Sequence, residues 1–376
     1  MNIGIDGNEA NVLNRVGVNK YALKLLWYLD EVNRKSSKSD NLIVYLKVEP
    51  LPDLPKQNKY LKYKIIKGGP LWILTRLNPY LIVNPDHLDV FFSPSHYVPL
   101  FLTMPRICSI MDLGYLENTT HFEKKVLWQL KYWTASSIFF AKRVLTISEA
   151  SKSDIVRHYP WAKRKIEVTY LSHDLERSDF MVGEHDISSL KRRYTIVDDY
   201  ILYIGTLKPS KNIDGIIKGF NLYINESKDK KTKLVIIGKK GWMYQDLFNL
   251  VSKLNIKDRV VFTDFVGERE KMIFRKGAKI FMQPSHWEGF GIDTLSAMVI
   301  GVPVIASRVG SLPEIVGDNS LLVNNLDYKD IGQKITKVMK MDKKEYEKIV
   351  NYQKDRAKDF SWTSCAKKTL EVLRLK

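Results

Sequence analysis

Two series of short apolar runs, alternating with helical patterns, constrain this chain more than any other feature. The runs of the first series lie at 3–5, 42–48, 62–66, 89–92, 106–110 and 143–148. Those of the second series lie at 200–205, 233–238, 260–263, 280–282 and 302–306. Strands that alternate with helices favour parallel sheets. The pattern therefore predicts an α/β protein with two Rossmann-like domains.

A polar, aperiodic stretch separates the two series and indicates the domain boundary. We predict an N-terminal domain at 1–180, a linker at 181–198 and a C-terminal domain at 199–358, followed by a final helix at 359–376. The length of 376 residues fits two domains, because a typical domain has about 150 residues.

The charge balance is strongly basic, with 60 lysines and arginines against 42 aspartates and glutamates. Nucleic acids, anionic lipid headgroups and phosphorylated small molecules are all suitable partners for such an excess. A lysine-rich surface that serves only solubility is the alternative. Because we find no zinc finger, recognition-helix pattern or aromatic RNA-binding signature, we expect no nucleic acid partner.

The cysteines and the apolar segments indicate a cytoplasmic location. Cys108 and Cys365 cannot form a disulfide framework, and neither has neighbours at zinc-binding spacing. Asp6 interrupts the N-terminal apolar run, so we expect no signal peptide. The longest uncharged stretch, 90–105, is too short for a membrane span and contains three prolines.

A glycine-rich segment in the second half has the features of a site for a phosphorylated ligand. Gly289 and Gly291 remove side chains where a backbone must approach a ligand closely, and a helical pattern follows at 295–300. The amide groups at the start of that helix can receive a diphosphate. Lys211 offers a compact cation for the same phosphates, and Glu288 can accept hydrogen bonds from sugar hydroxyls. An ordinary surface position is the alternative for either side chain.

Three linked motifs carry a resemblance to a known family. They are Glu-Gly-Phe-Gly at 288–291, Gly-Val-Pro-Val at 301–304 and Gly-Ser-Leu-Pro-Glu at 310–314. Together they resemble the donor-site signature of the GT-B retaining glycosyltransferases, which include bacterial mannosyltransferases and sucrose-synthase-like enzymes. The resemblance covers nearly the whole chain, since 205–212 resembles the family's phosphate-binding turn and 16–21 its N-terminal glycine loop.

This resemblance implies the GT-B architecture, in which two Rossmann-like domains face a cleft and a C-terminal helix crosses back onto the N-terminal domain. It also implies a retaining hexosyltransferase of cell-surface polysaccharide synthesis. Such an enzyme moves a sugar, with mannose as the candidate, from a nucleotide-sugar donor to a glycan or lipid-linked acceptor. We expect no metal or other cofactor, because a helix dipole and a lysine can supply the electrostatic stabilisation.

The resemblance further implies roles for individual residues. The catalytic candidates are Glu288, Lys211 and Asp112, and Gly17 is expected to close over the phosphates from the first domain. The expected donor contacts are Gly17, Gly205, Thr206, Lys208, Lys211, Glu288, Gly289, Phe290, Gly291, Ile292 and Ser296.

Three positions depart from the family's pattern. Ser296 stands where a second glutamate usually binds the ribose, and Thr206 stands where an arginine is usual, with Lys208 as a candidate substitute. Met111 replaces the histidine of a His-Asp pair, while Asp112 is retained. Two interpretations follow: an active enzyme with altered donor contacts, or a catalytically silent binding subunit. A sugar-nucleotide epimerase is a third candidate, which the linked donor motifs disfavour.

Aromatic residues beside lysines suggest a membrane surface as a further partner. The segment 122–143 combines Trp128, Tyr132 and Trp133 with several lysines, and a second aromatic stretch spans 70–80. Such a combination suits a membrane interface, so we expect peripheral attachment to an anionic inner leaflet. A helix that packs on its own domain and leaves a solvated basic face is the alternative.

Overall fold

The computed structural model describes residues 1–69, 71–117, 124–241, 244–317 and 319–375. The chain forms two compact units. The first comprises Met1–Leu171 together with Phe360–Lys376, and the second comprises Ser172–Asp359. Among the helices that these ranges contain, none has both the length and the apolar character needed to cross a bilayer.

The first unit is built on a parallel sheet of seven strands. They are β1 (Asn2–Asp6), β2 (Asn41–Leu46), β3 (Leu61–Ile65), β4 (Val90–Ser93), β5 (Arg106–Ser109), β6 (Arg143–Thr146) and β7 (Ile166–Val168). The strand order is β3-β2-β1-β4-β5-β6-β7. The helices are α1 (Val18–Lys35), α2 (Asn78–Val83), α3 (Gly114–Glu117), α4 (Lys124–Phe140) and α5 (Glu149–His158). A π-helical turn (Ile73–Leu77) precedes α2, and a 3₁₀ helix (Pro160–Lys165) follows α5.

The second unit is built on a parallel sheet of six strands. They are β8 (Tyr200–Ile204), β9 (Lys233–Ile237), β10 (Val260–Phe262), β11 (Ile280–Gln283), β12 (Val304–Ser307) and β13 (Leu322–Val323), in the order β10-β9-β8-β11-β12-β13. Its α-helices are α6 (Glu184–Arg193), α7 (Ile213–Ser227), α8 (Tyr244–Lys253), α9 (Glu268–Gly277), α10 (Ile292–Ile300), α11 (Leu312–Val316), α12 (Tyr328–Met339) and α13 (Lys343–Ala357). Both sheets are the parallel sheets that the alternating pattern predicts.

The last helix of the chain, α14 (Trp362–Arg374), belongs to the first unit. It packs on α1, where the rings of Trp362 and Tyr21 have centroids 6.4 Å apart. Near its end, Nε of Arg374 donates to Oδ2 of the buried Asp40 over 2.7 Å. Packing and a part-buried ion pair therefore hold the C-terminal helix against the N-terminal sequence.

The predicted linker at 181–198 is wrong, because this segment contains α6. Ile187 and Leu190 are buried, and Oδ2 of Asp186 accepts a hydrogen bond from the backbone N–H of Gly183 at the start of the helix. The first unit also ends at Leu171, before the predicted boundary at 180. Helix α6 has few apolar residues, so its composition resembles that of a polar loop and does not reveal a helix.

The two aromatic segments that we predicted at a membrane surface, 70–80 and 122–143, contain both buried and exposed rings. Pro70, Phe122 and Glu123 lie outside the described residues. In the stretch 70–80, Trp72 is buried in a core cluster of the first unit, so its ring is not available to a membrane. Trp133 packs edge-on against Tyr97, with ring centroids 5.2 Å apart, whereas Trp128 and Tyr132 are exposed.

Candidate active site

Two loops of the second unit meet at the carboxyl edge of its sheet. Strands β8 and β11 are neighbours, so the loops that follow them, 205–212 and 284–291, start side by side. The backbone N–H of His286 donates to the carbonyl of Ser210 over 2.9 Å. Nδ2 of Asn212 donates to the carbonyl of Pro284, also over 2.9 Å. In open parallel sheets this edge is the usual place for ligands.

An ion pair links the two loops. Nζ of Lys211, at the end of a 3₁₀ turn (Pro209–Lys211), lies 2.5 Å from Oε1 of Glu288. The two side chains are 19% and 14% exposed, so the pair is partly shielded from solvent but still reachable. The structure thus brings together the two side chains that the sequence analysis assigned to phosphate and sugar.

Two further side chains hold the carboxylate of Glu288 in place. Nε2 of Gln283 donates to Oε1 over 2.6 Å, and Oγ of Ser285 donates to the same oxygen over 3.0 Å. Within the described ranges, Oε2 accepts no hydrogen bond from the protein. This oxygen can therefore accept a hydrogen bond from a ligand hydroxyl. Gln283 and Ser285 are not among the predicted site residues. A glutamine directly after the apolar run 280–282 is the sequence feature that points to Gln283.

Two buried polar atoms beside Glu288 have no partner within the described part of the chain. They are the hydroxyl of Tyr203 and Oε1 of Gln283. Burial, with the negative charges of Glu288 and Asp293, raises the pKa of Tyr203 well above its ordinary value. The phenol therefore stays neutral and can donate. Because buried polar atoms are normally paired, these two atoms mark positions for a water or a ligand group.

The start of α10 presents backbone amides that have no acceptor among the described residues. Gly291 occupies its N-cap position with φ of 92°, a conformation that favours glycine, and no side chain caps the helix. The first amide with a helical acceptor is that of Leu295, which bonds the carbonyl of Gly291. The N–H groups ahead of it can face an anion, supported by the helix dipole. Asp293 in this turn is paired with the buried Arg275 at 2.5 Å, which offsets its charge.

The motif at 310–314 fixes the backbone of Glu288. Both the N–H and the hydroxyl of Ser311 donate to the carbonyl of Glu288 over 3.1 Å. Gly310 has φ of 60°, and a Cβ atom there would lie 2.5 Å from the same carbonyl oxygen. The close approach requires glycine. This contact explains why the motif accompanies Glu-Gly-Phe-Gly in the sequence.

The other predicted donor contacts lie in the same loops and in α10. Gly205 directly follows β8, and Thr206 and Lys208 are exposed beyond it. Gly289 and Ile292 flank the glycine at the helix start, and Phe290 is buried, so that Phe290 offers a ligand its backbone rather than its ring. Ser296, on the second turn of α10, is only 2% exposed, which leaves its hydroxyl little surface for a ribose.

Gly17 and Asp112 belong to the first unit. Gly17 is exposed, precedes α1 and has φ of 42°. Asp112 follows β5, and its Oδ1 accepts a hydrogen bond from the N–H of Gly114 at the start of α3. The predicted roles of Gly17 and Asp112 stay predictions.

His96 is a further polar side chain of the first unit. Burial lowers the pKa of His96 to about 4, and its Nε2 atom has no partner within the described chain.

Among the residues that the structure describes, no group of three or more histidine, cysteine, aspartate or glutamate side chains is arranged to hold a metal ion. The charged side chains at the second-unit site include Lys211, Glu288 and the Arg275–Asp293 pair.

The chain is similar to a known family in sequence and to solved structures in fold. Residues 190–356 match the family described as Glycosyl transferases group 1. Over 376 aligned residues, 96% of each chain, the protein is 26% identical to O-antigen chain mannosyltransferase B of Escherichia coli.

Two solved structures have a similar fold. Sucrose-phosphate synthase from Thermosynechococcus elongatus superposes with a TM-score of 0.72 at 16% identity, covering 99% of this chain and 98% of that one. Anabaena HepE, solved in complex with UDP, also gives a TM-score of 0.72 at 16% identity and covers 99% of both chains. These likenesses confirm the predicted GT-B fold class.

Proposed function

We propose that this chain, whose residues 190–356 match the family described as Glycosyl transferases group 1, transfers mannose from a nucleoside diphosphate sugar to a growing cell-surface glycan. The observation that carries this proposal is the Lys211–Glu288 pair between the two loops beside α10. It combines a cation, free helix amides and a carboxylate, which are the groups that a diphosphate and a sugar require. Mannose as the sugar is supported by the relative in Escherichia coli, whose name is that of a mannosyltransferase.

The diphosphate of the donor would sit at the start of α10. There it would accept hydrogen bonds from the unpaired amides, and Lys211 would move from Glu288 to a phosphate oxygen. Glu288, still held by Gln283 and Ser285, would accept hydrogen bonds from the sugar hydroxyls. A nucleoside diphosphate is also supported by HepE, a protein of similar fold that was solved with UDP.

We further propose transfer with retention of the anomeric configuration. The bond between the anomeric carbon and the phosphate oxygen breaks, and a bond from the same carbon to the acceptor oxygen forms on the same face. The departing phosphate takes the proton of the acceptor hydroxyl. A side-chain base is then not needed, which is consistent with Met111 in place of the family's histidine. The products are the glycoside and the nucleoside diphosphate.

The acceptor would bind the first unit, and a lipid-linked glycan is the candidate acceptor. Gly17, which precedes α1, would cover the phosphates when donor is bound, and Asp112 would be the catalytic residue that the first unit contributes. We expect the reaction to need no metal, since Lys211 and the amides of α10 supply positive potential where negative charge develops.

A donor screen tests the proposal. The purified chain is first tested for thermal stabilisation by GDP, UDP, dTDP, CDP and ADP without metal. A ligand at about 100 times its Kd should stabilise the fold by roughly 2.7 kcal/mol. The stabilising base then selects the nucleotide-sugars for transfer assays with a mannoside acceptor, and NMR of the product gives its anomeric configuration.

The results separate the candidate functions. Transfer of mannose with retention supports the proposal, and inversion would overturn the retaining mechanism. Nucleotide stabilisation without transfer to any acceptor would favour a silent binding subunit. Conversion of the nucleotide-sugar without acceptor would indicate an epimerase. Failure of every nucleotide to bind a well-folded chain would overturn the donor site itself.

A further inference from the structure

Three aromatic side chains lie along one exposed face of α4. Trp128, Tyr132 and Phe139 are 63%, 56% and 63% exposed. Their spacings of four and seven residues place them on the same side of the helix. Ser137 and Ile138 are buried on the side that packs against the first unit. The three rings therefore contribute little to the core, although their apolar area would favour burial.

The exposed aromatic surface continues beyond the end of α4. The ring of Phe139 lies 5.9 Å from that of Trp161, which belongs to the 3₁₀ helix after α5. Phe101 packs against Phe140 at 5.7 Å and is 72% exposed. We call Trp128, Tyr132, Phe139, Trp161 and Phe101 the aromatic face. Contiguous exposed apolar surfaces of this kind mark interaction sites.

The segments that carry most of this face are basic. Residues 127–143 and 157–166 contain seven lysines and arginines and no aspartate or glutamate. Lys131, Lys142 and Lys163 are exposed. Nζ of Lys165 lies 5.6 Å from the centre of the Trp161 ring, so a cation also lies over the aromatic surface itself. The partner of the face should therefore be both apolar and anionic.

We propose that the aromatic face docks on an anionic phospholipid bilayer, with the rings at headgroup level and the lysines against lipid phosphates. Tryptophan and tyrosine are the side chains that favour this boundary, and lysines beside them add electrostatic attraction. A second copy of the chain fits the face less well, because a two-fold contact would bring two sets of cations together. The docking needs neither donor nor acceptor, so it is independent of the proposed transfer.

Vesicle flotation tests the docking with the full chain. The vesicles contain phosphatidylethanolamine and phosphatidylglycerol, or phosphatidylcholine alone, at low and high salt. We expect the protein to float with the anionic vesicles at low salt, to float less at high salt and to stay behind with phosphatidylcholine. Each exposed lysine at the surface should strengthen partitioning about fivefold, so Lys142→Gln with Lys163→Gln should weaken it roughly 30-fold.

Removal of the rings tests the apolar part of the contact. The triple variant Trp128→Ala, Tyr132→Ala and Phe139→Ala should lower partitioning by at least about a hundredfold, because three rings no longer enter the interface. The matched control is Phe180→Ala with Phe265→Ala, which removes two exposed rings of the second unit. All five positions are exposed, and circular dichroism checks that each variant is folded.

Three outcomes would overturn the proposal. The first is wild-type protein that does not float with anionic vesicles at low salt. The second is a folded triple variant that floats as well as wild type. The third is an equal loss in the Phe180/Phe265 control, which would make the binding non-specific. If wild type is a dimer by analytical ultracentrifugation, does not float, and becomes monomeric in the triple variant, the face is an interface between copies instead.

Discussion

Nζ of Lys211 lies 2.5 Å from Oε1 of Glu288, so the cation suited to phosphate and the carboxylate suited to sugar hydroxyls neutralise each other in the structure. A bound diphosphate would compete with Glu288 for the lysine. The released carboxylate would then need hydrogen bonds from the ligand, because it is mostly buried. Phosphate and sugar binding should therefore be coupled through this pair.

Substitution Lys211→Ala should weaken the binding of nucleoside diphosphates. The variant loses a charge-assisted contact, whose typical strength corresponds to roughly a 10- to 150-fold increase in Kd. Isothermal titration calorimetry with the nucleotide selected in the screen measures the change. Lys218→Ala is the matched control, since it removes a lysine paired with Asp214 on the neighbouring helix α7. An unchanged Kd in Lys211→Ala would exclude a phosphate contact.

Substitution Gln283→Leu should impair transfer more strongly than it weakens nucleotide binding. Leucine removes the N–H that bonds Glu288 over 2.6 Å, so the carboxylate loses a group that orients it toward the sugar. Hydrogen bonds to charged groups typically contribute about 1.5–3 kcal/mol, so kcat/KM should fall at least about tenfold. Initial rates and calorimetry give the two quantities, and the exposed Gln333→Leu serves as control. Equal losses in transfer and in nucleotide affinity would indicate a merely structural glutamine.

Substitution Gly310→Ala should destabilise the second unit and displace Glu288. Alanine in this left-handed conformation costs roughly 1–2 kcal/mol, and its Cβ would also press against the Glu288 carbonyl oxygen at 2.5 Å. Urea unfolding measures the loss of stability. Gly267→Ala is the control, because a Cβ there meets no atom within 4 Å. Stability equal to that of the control would show that the loop relaxes freely.

Transfer activity should be insensitive to chelators. In the proposed site, Lys211 and the amides at the start of α10 would supply positive potential at the donor phosphates, and both belong to the second unit. Initial rates with EDTA should equal those with magnesium or manganese. A loss of activity that either metal restores would show that these groups are insufficient alone.

The sequence predicted the sheets and the glycine-containing loops that follow β8 and precede α10, because both depend on local patterns. Apolar runs ending in glycine define β8 and β9, and the glycines at 289 and 291 precede α10 as expected. Residue type and motif also single out Lys211 and Glu288 as site candidates, and their roles stay predictions. Their direct contact was not predicted, since it depends on β8 and β11 being neighbours in the sheet.

The features that the sequence did not reveal depend on tertiary contacts. Gln283 lies at the end of an apolar strand, and only the fold shows that it reaches Glu288. Helix α6 has too few apolar residues for its period to be visible. Among the aromatic residues, Trp72 is buried and Trp128 is exposed, although both lie in aromatic segments. Residue type alone could not separate these two tryptophans.

The stability of the first unit should fall between pH 6.5 and pH 4 because of His96. Burial lowers its pKa to about 4, with no opposing charge among the residues that the structure describes. In the unfolded chain the imidazole binds a proton near pH 6.5, so in this window the unfolded state carries more protons. Stability is therefore complete above pH 6.5 and is lost on acidification toward pH 4. The loss from this group should be roughly 2–3 kcal/mol.

Urea unfolding of wild type and His96→Gln across this range tests the assignment. Glutamine does not titrate, so the variant should show a shallower dependence of unfolding free energy on pH, with the two curves converging as the pH falls. His87→Asn is the matched control, because His87 is exposed and asparagine tolerates its positive φ of 50°. This control should keep the wild-type slope. Parallel curves for wild type and His96→Gln would mean that the imidazole gains its proton without unfolding, through water reaching Nε2.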